Sequence, residues 1–138
     1  MLICELRRNK NILRNNKLEV IKNNNDLFFY IKKYEPKKII LFRVGLVIQK
    51  KVISFGVPIF NIHCAMLPKY KGLGAIHKAI NQKAVMQKAT LHKVTYKIDS
   101  GKILDTEPYK INLKKSYCFN ENQAYNAGIK LLKRSILS

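Results

Sequence analysis

One short apolar run restricts the folds open to this chain more than any other feature of its 138 residues. Ile39–Phe42 is apolar throughout and is bounded by Lys38 and Arg43. A strand with one face in water alternates apolar and polar side chains, whereas a parallel strand covered on both faces is continuously apolar. The run therefore predicts a parallel strand with other elements packed above and below it.

The segments around this run alternate between strand and helix patterns. A short strand is predicted at Leu18–Ile21, and Asp26 is the predicted N-cap of a helix that extends to Tyr34. A short helix around Gln49–Ser54 precedes a second buried strand at Val57–Ile62. The succession strand, helix, strand, helix, strand is typical of a doubly wound, Rossmann-like α/β sheet.

The pattern changes in the second half of the chain. Thr90–Ile98 alternates, Asp99–Gly101 is turn-forming, and Lys102–Leu113 is again extended, so we expect an antiparallel pair there. A helical stripe that includes Gly128 follows. No repeat or linker divides the chain. We therefore predict one α/β domain over residues 1–138, with a mostly parallel sheet, a C-terminal antiparallel extension and a final helix.

The chain is strongly basic, with a formal net charge of +19. Such a charge favours anionic ligands, but an evenly lysine-rich solvated surface explains it equally well. Nucleic acid is a less favoured partner because the basic residues form no block, although the charge does not exclude it. No apolar run is long enough to cross a membrane, so no membrane partner is expected. Three widely spaced cysteines without a CxxC pair indicate a reducing, cytoplasmic setting.

Two polar side chains stand at the end of the second buried strand. Asn61 and His63 are two positions apart, so their side chains point to the same face of the strand. This face adjoins the crevice where open α/β sheets bind ligands. Asp99 lies in the later turn, and a nearby carboxylate raises the pKa of an imidazole. We therefore expect His63 to be a cation or a general acid near neutral pH. Taken alone, the Asn61 and His63 pair also fits a hydrogen-bonded structural histidine.

Four segments together form a more specific pattern: Asn61-Ile62-His63, Leu67–Gly72, Thr90-Leu91-His92 and Asp99-Ser100-Gly101. Their order and intervals resemble N-x-H-x-S-L-L-P-x-[YF]-R-G, G-x-T-x-H and D-T-G of the formyltransferases that use 10-formyltetrahydrofolate. That family includes the glycinamide ribonucleotide, methionyl-tRNA and amino-sugar formyltransferases. The resemblance covers about residues 18 to 137. Few residues precede it, so we expect the family's first strand, loop and helix to be reduced or missing.

The resemblance implies a role for each matching residue. Asn61 would donate its amide to the formyl oxygen, and His63 would stabilise the resulting oxyanion as an imidazolium. Asp99 would keep His63 charged and accept the proton of the attacking amine through water. The donor pocket would be lined by Leu46, Val47, Ile48 and Asp99. The substrate loop and supporting positions would be Pro68, Lys69, Gly72, Thr90 and His92. No metal is implied.

The resemblance therefore implies formyl transfer from 10-formyltetrahydrofolate to the amine of a small anionic acceptor, such as a nucleotide-linked amino sugar. Two alternatives remain open at this stage: a family member that binds folate without turnover, and a basic nucleic-acid-binding module. A homodimer is compatible with the pattern. For His92, simple packing beside Val94 and Tyr96 explains the residue as well as a supporting role does. Cys64 points to the opposite face from His63, so packing is its expected role.

Overall fold

The computed structural model describes residues 2–5 and 17–137. Its elements in chain order are β1 (Leu2–Glu5), β2 (Lys17–Val20), α1 (Asn24–Tyr34), β3 (Ile39–Phe42), α2 (Lys50–Ile53), β4 (Ile59–His63), α3 (Ala75–Asn81), β5 (Met86–Lys93), β6 (Ile103–Lys110) and α4 (Tyr117–Leu137). The strands of this described part form one six-stranded sheet in the order β2-β1-β3-β4-β5-β6. Strands β1 to β4 are parallel, and β5 runs antiparallel to both of its neighbours, β4 and β6. The predicted fold class is confirmed.

Strand β3 is buried on both faces, as its apolar run predicts. Ile39 and Leu41 belong to the apolar cluster that includes side chains of α1 and α2. Ile40 and Phe42 belong to the opposite cluster, with side chains of α3 and α4. The two clusters follow from the alternation of side chains along a strand, so one tetrapeptide joins both layers of the core.

The first strand of the N-terminal unit is present. β1 lies between β2 and β3 and pairs with both, so that Glu5 is in register with Val20 and Phe42. The loop and helix that the family resemblance led us to expect in reduced form fall on residues 6–16, outside the described residues.

The N-cap of helix α1 lies three residues earlier than predicted. Asn23, not Asp26, is the N-cap, and its side chain accepts a hydrogen bond of 2.9 Å from the backbone N–H of Asp26. The Asp26 carboxylate in turn accepts one of 2.8 Å from the backbone N–H of Lys22. The Asp26 bond lies one residue before the N–H that a capping box would use, and the sequence pattern alone ranks both residue types highly.

The antiparallel pair is shifted relative to its prediction. The strand expected at Thr90–Ile98 is Met86–Lys93, and its partner is Ile103–Lys110. The pairing of β5 with β6 ends at His92 and Ile103, although the backbone N–H of Val94 still bonds to the carbonyl of Ile59 on the β4 side and the sequence alternation continues. Gly101 approaches the end of β5 so closely that a Cβ would lie 1.8 Å from the Lys93 carbonyl oxygen. Only glycine fits this return of the chain.

Helix α4 packs very close to the sheet. A Cβ at Gly128 would lie 2.5 Å from an edge atom of the Phe42 ring. The missing side chain lets the helix approach the carboxyl end of β3, which brings Glu121 and Tyr125 over that edge. None of the helices in the described residues is long and apolar enough to cross a bilayer.

Candidate active site

The site lies at the carboxyl edge of the parallel strands. On β4, Asn61 is in register with Leu41 of β3 and with His92 of β5, while His63 is in register with Thr90. Two of the expected polar residues are thus on one strand, and the neighbouring strand adds two more, Thr90 and His92. This edge is where doubly wound sheets bind their ligands.

Asp99 reaches this edge from the turn after β5. Its backbone is left-handed (φ 48°), a conformation that aspartate tolerates better than most residues. The carboxylate accepts a hydrogen bond of 2.7 Å from the backbone N–H of Gly72. Oδ2 lies 3.6 Å from Nδ1 of His63, and Oδ1 lies 3.3 Å from Nε2 of His92. One carboxylate therefore contacts both histidines and the loop after β4.

The ring of His92 is buried, with 2% of the residue exposed, and lies between two other site residues. Its Nδ1 donates to the carbonyl of Lys93 at 3.1 Å, and its Nε2 lies 3.3 Å from Nδ2 of Asn61. A primary amide carries two hydrogens on its nitrogen, so at least one on Nδ2 of Asn61 is left for a ligand. His92 therefore fixes the orientation of Asn61 and contacts the Asp99 carboxylate from the rear of the site.

His63 has an acceptor at each ring nitrogen. Its Nε2 donates to the backbone carbonyl of Tyr70, and its Nδ1 faces Asp99. Burial lowers the pKa of His63 and outweighs the Asp99 carboxylate and the Tyr70 carbonyl, which raise it. The expectation of a raised pKa is therefore wrong, because burial of the ring penalises the cation more than Asp99 favours it. His63 is neutral at pH 7 when no ligand is bound.

Asp99 is an anion over the whole physiological range. Burial alone raises the pKa of its carboxyl, but the contacts with His92, the Gly72 N–H and His63 outweigh burial and lower the pKa to about 2. A carboxylate of such low pKa is a poor proton acceptor. Its chemistry here is to stabilise positive charge that develops nearby.

Two cavities adjoin Asp99 on the side of the loop between β3 and α2. A cavity of 110 Å³ is lined by Leu46, Val47 and Asp99 together with other residues. A smaller one of 40 Å³ extends to Ile48 and His92. The structure thus places the three apolar residues of the predicted donor pocket next to Asp99.

A third cavity of 290 Å³ also reaches Asn61 and His63, but Asp99 does not line it. Its other walls include three residues that the sequence did not single out: Arg43, Tyr117 and Glu121. The one available signal was that Glu121 is the single acidic residue after Glu107. Asn61 and His63 therefore lie where the 290 Å³ and 110 Å³ cavities adjoin.

The remaining expected residues differ in their placement. Gly72 lines both the 110 Å³ and the 290 Å³ cavities. Thr90 is buried, and its hydroxyl donates a hydrogen bond of 3.0 Å to the carbonyl of Ala65. Pro68 and Lys69 are exposed and line none of the three cavities. The structure therefore does not bring these last two to the site.

Cys64 lines the 290 Å³ cavity beside His63. Burial raises the pKa of its thiol to about 11, so the thiolate is scarce at neutral pH and nucleophilic chemistry is disfavoured. Within the described part of the chain, no group of three or more His, Cys, Asp or Glu side chains is arranged to hold a metal ion.

Comparison with known proteins identifies the family. A family model described as "Formyl transferase" matches residues 8–134. The chain belongs to the formyl transferase family. The resemblance drawn from the sequence motifs is thereby confirmed.

Individual relatives and solved structures show how much of each protein this chain covers. A methionyl-tRNA formyltransferase from Hydrogenobaculum sp. (strain Y04AAS1) is 32% identical over 107 residues, which is 75% of this chain and 35% of that protein. Against HypX from Aquifex aeolicus the TM-score is 0.81 at 15% identity, over 98% of this chain and 25% of that one. Against phosphoribosylglycinamide formyltransferase from Streptococcus pneumoniae TIGR4 it is 0.73 at 17% identity, over 90% and 76%. These two structures establish the fold, and the chain spans about a third of the curated relatives it matches.

Proposed function

We propose that this chain transfers a formyl group from 10-formyltetrahydrofolate to the amine of a small anionic acceptor. The observation that supports this most directly is that Asn61 and His63 line both the 110 Å³ and the 290 Å³ cavities, with Asp99 3.6 Å from His63 on the side of the smaller one. Donor and acceptor can then approach the same polar groups from two sides. Family membership supports the reaction class.

The cavities beside Asp99 suit the donor. Leu46, Val47 and Ile48 give apolar walls, and Asp99 and Asn61 add polar groups to the same cavities. Pockets for flat ring systems combine such walls with a few polar contacts. We assign the folate ring to this side, with Asp99 as its nearest charged group.

The reaction proceeds through a tetrahedral intermediate. The acceptor nitrogen attacks the formyl carbon, the carbonyl π electrons move to oxygen, and the free hydrogen on Nδ2 of Asn61 donates to that oxyanion. The bond from the formyl carbon to N10 of the donor then breaks. The products are the formylated amine and tetrahydrofolate. A preorganised donor of this kind typically contributes about 3 kcal/mol of transition-state stabilisation.

The proton balance assigns a step to His63. Nδ1 of neutral His63 accepts the proton that the attacking amine loses. His63 then donates this proton to N10 of the leaving tetrahydrofolate. The intermediate imidazolium donates to both Asp99 and the Tyr70 carbonyl, so its charge is stabilised where it forms. The low pKa of Asp99 makes it the stabilising anion, which revises the role of proton acceptor implied by the resemblance.

The acceptor side favours a small molecule. Its cavity of 290 Å³ is at the lower end of the range for small-molecule sites, and the basic chain attracts anions. A nucleotide-linked amino sugar whose amine enters this cavity fits both observations. Relatives are named for methionyl-tRNA and for phosphoribosylglycinamide, so the acceptor panel must contain amines of each class.

The test is release of tetrahydrofolate from 10-formyltetrahydrofolate in the presence of a panel of amines. We expect Asn61→Ala to lower turnover about a hundredfold or more and His63→Ala to abolish it. Both variants should bind a folate analogue as the wild type does. Asn122→Ala, an exposed amide on α4, is the matched control and should leave turnover unchanged.

Two other outcomes decide against the proposal. Folate binding without turnover for every amine would identify a family member that has lost catalysis. A wild-type chain that neither binds the folate analogue nor transfers the formyl group would show that the donor pocket is wrongly assigned.

A further inference from the structure

We propose that Arg43 binds the anionic group of the acceptor, a phosphate or a carboxylate, while the acceptor amine lies at His63. The inference deepens the proposed function and rests on it. It assigns the specificity for the acceptor to a residue that lies outside every motif of the sequence analysis.

Arg43 is placed on the acceptor side of the site. It follows β3 directly and lines the 290 Å³ cavity with Asn61 and His63. It lines neither of the two cavities that contain Leu46 and Val47. A ligand bound by Arg43 therefore occupies the cavity opposite the donor and still reaches the reacting groups.

The backbone of Arg43 is strained. Its φ is 58°, in the left-handed region, where a residue with a Cβ pays about 1–2 kcal/mol relative to the right-handed form. A glycine would avoid that cost, yet an arginine occupies the position. Residues held in such conformations cluster at functional sites, where the surrounding structure fixes them for a purpose. Here the left-handed turn accompanies a side chain that reaches α4.

Helix α4 holds the guanidinium on two sides. Nη2 of Arg43 donates a hydrogen bond of 2.6 Å to Oε1 of Glu121. The guanidinium carbon lies 4.9 Å from the centroid of the Tyr125 ring, within cation–π distance. The side chain is 17% exposed. Because Arg43 is already ordered, a ligand pays little of the entropy that would otherwise be needed to immobilise it.

Most of the hydrogen-bonding capacity of Arg43 faces no protein acceptor. A guanidinium has five N–H groups in a planar fork that matches carboxylate and phosphate oxygens. Among the described residues, Glu121 is its one hydrogen-bond partner, and Nε and Nη1 have none. These nitrogens remain for an oxyanion in the cavity.

Glu121 is itself held by a chain of contacts. Its carboxylate is hydrogen-bonded to the Tyr117 side chain, and burial together with this anion raises the pKa of Tyr117. The ring of His77 stacks on Tyr117 at 3.9 Å between centroids. Glu121 therefore has a fixed position from which it orients Arg43. The negative charge of Glu121 also repels any anion that does not hydrogen-bond to the remaining N–H groups of Arg43.

The competing explanation is that Arg43 and Glu121 form a purely structural ion pair. Variants of each residue distinguish this explanation from an anion site. The probes are O-phosphoethanolamine, β-alanine and ethanolamine, which share an amine and carry a phosphate, a carboxylate or no anion. Their affinities for the full chain are measured by NMR titration. We expect at least tenfold tighter binding of one anionic probe than of ethanolamine, and the preferred probe identifies phosphate or carboxylate as the ligand group.

Arg43→Gln should reduce that preference to less than twofold, and Glu121→Gln should preserve it because the guanidinium remains. Arg43→Lys, which keeps the charge but loses the fork, should give an intermediate preference. Lys88→Gln removes one exposed charge outside the three cavities and should change nothing. Binding of a folate analogue should be equal in all variants, which shows that each one is folded.

A preference that survives in Arg43→Gln, or its absence in the wild type, overturns the proposal. Equal loss in Arg43→Gln and Glu121→Gln supports the structural ion pair instead. If Arg43→Gln fails to bind the folate analogue, the comparison of Arg43→Lys with Glu121→Gln decides. An Arg43-dependent preference without any formyl transfer would refute the proposed reaction and leave the anion site in place.

Discussion

At the scale of single residues, the site is governed by competition between burial and local charge. His63 and Asp99 are both largely buried, with side-chain exposures of 12% and 9%. For His63 burial is the stronger influence and the pKa falls, whereas for Asp99 the hydrogen bonds are stronger and the pKa falls to about 2. The pair at rest is a neutral imidazole beside a carboxylate, ready to accept one proton.

Asp99→Asn should lower the pKa of His63 further. The Asp99 anion partly offsets the effect of burial on the His63 pKa, and an amide of the same shape removes that contribution. The imidazole titration, followed by ¹H–¹⁵N NMR, should shift to lower pH in the variant. The wild-type midpoint should lie below 6.5, the ordinary value for histidine.

The three histidines must first be distinguished in such spectra. His63→Ala removes one titration curve and identifies the relevant signals. An unchanged or raised midpoint in Asp99→Asn would mean that the carboxylate does not stabilise the His63 imidazolium, and the proton relay proposed above would lose its anion.

At the scale of secondary-structure elements, helix α1 fixes the donor loop. Asn24, in the first turn of α1, donates from Nδ2 to the carbonyl of Val47 at 3.0 Å. Its Oδ1 accepts from the backbone N–H of Gln49 at 2.9 Å. One amide side chain therefore satisfies two backbone groups of the loop that we assign to the folate ring. Within residues 2–5 and 17–137 this loop pairs with no strand that could hold it instead.

Asn24→Ala should raise the KM for 10-formyltetrahydrofolate several-fold and leave kcat nearly unchanged. Each lost hydrogen bond of this type contributes about 1 kcal/mol, and neither touches the reacting atoms. Initial-rate kinetics with varied donor concentration measures the effect. Asn25→Ala is the matched control, since Asn25 contacts the Lys51 side chain at 2.7 Å and not the loop. Equal effects of the two variants, or a fall in kcat alone, would contradict the role given to Asn24.

At the scale of the whole molecule, 27 Lys and Arg stand against 8 Asp and Glu, which gives the net charge of +19. The close Arg and Glu or Asp pairs of the described residues are Arg43 with Glu121, and Arg134 with Asp105 and Glu107. The remaining surface is therefore strongly positive. Such a surface raises the local concentration of anionic ligands, and salt screens it over a Debye length of about 8 Å at physiological ionic strength.

The affinity for a folate analogue with a polyglutamate tail should fall as salt rises from low to high concentration. The fall should be steeper for a longer tail, because each added carboxylate interacts with the same positive surface. Fluorescence titration at several salt concentrations measures both slopes. A neutral pterin without the tail is the control and should bind with little salt dependence. If the affinities of all three ligands depend equally on salt, the lysines form an ordinary solvated surface with no role in attracting the ligand.

The sequence alone determined the elements whose patterns are local. The apolar run Ile39–Phe42 predicted a strand with two buried faces, because consecutive side chains of a strand point to opposite faces and all four are apolar. The short helix between residues 49 and 54 and the spacing of Asn61 and His63 at the end of a strand were predictable for the same reason. The family motifs added Asp99, which no local pattern connects to His63.

The tertiary structure decided whatever depends on distant parts of the chain. The alternation after Thr90 continues beyond Lys93, but the strand ends there because its pairing with β4 stops at Phe60 and its pairing with β6 stops at Ile103. The direction of the His63 pKa shift depends on how much protein covers the ring, which no motif records. The contact between Arg43 and Glu121 joins residues 78 positions apart, through a helix that reaches β3 because Gly128 has no side chain. Burial and long-range packing are properties of the assembled fold, so only the fold could show them.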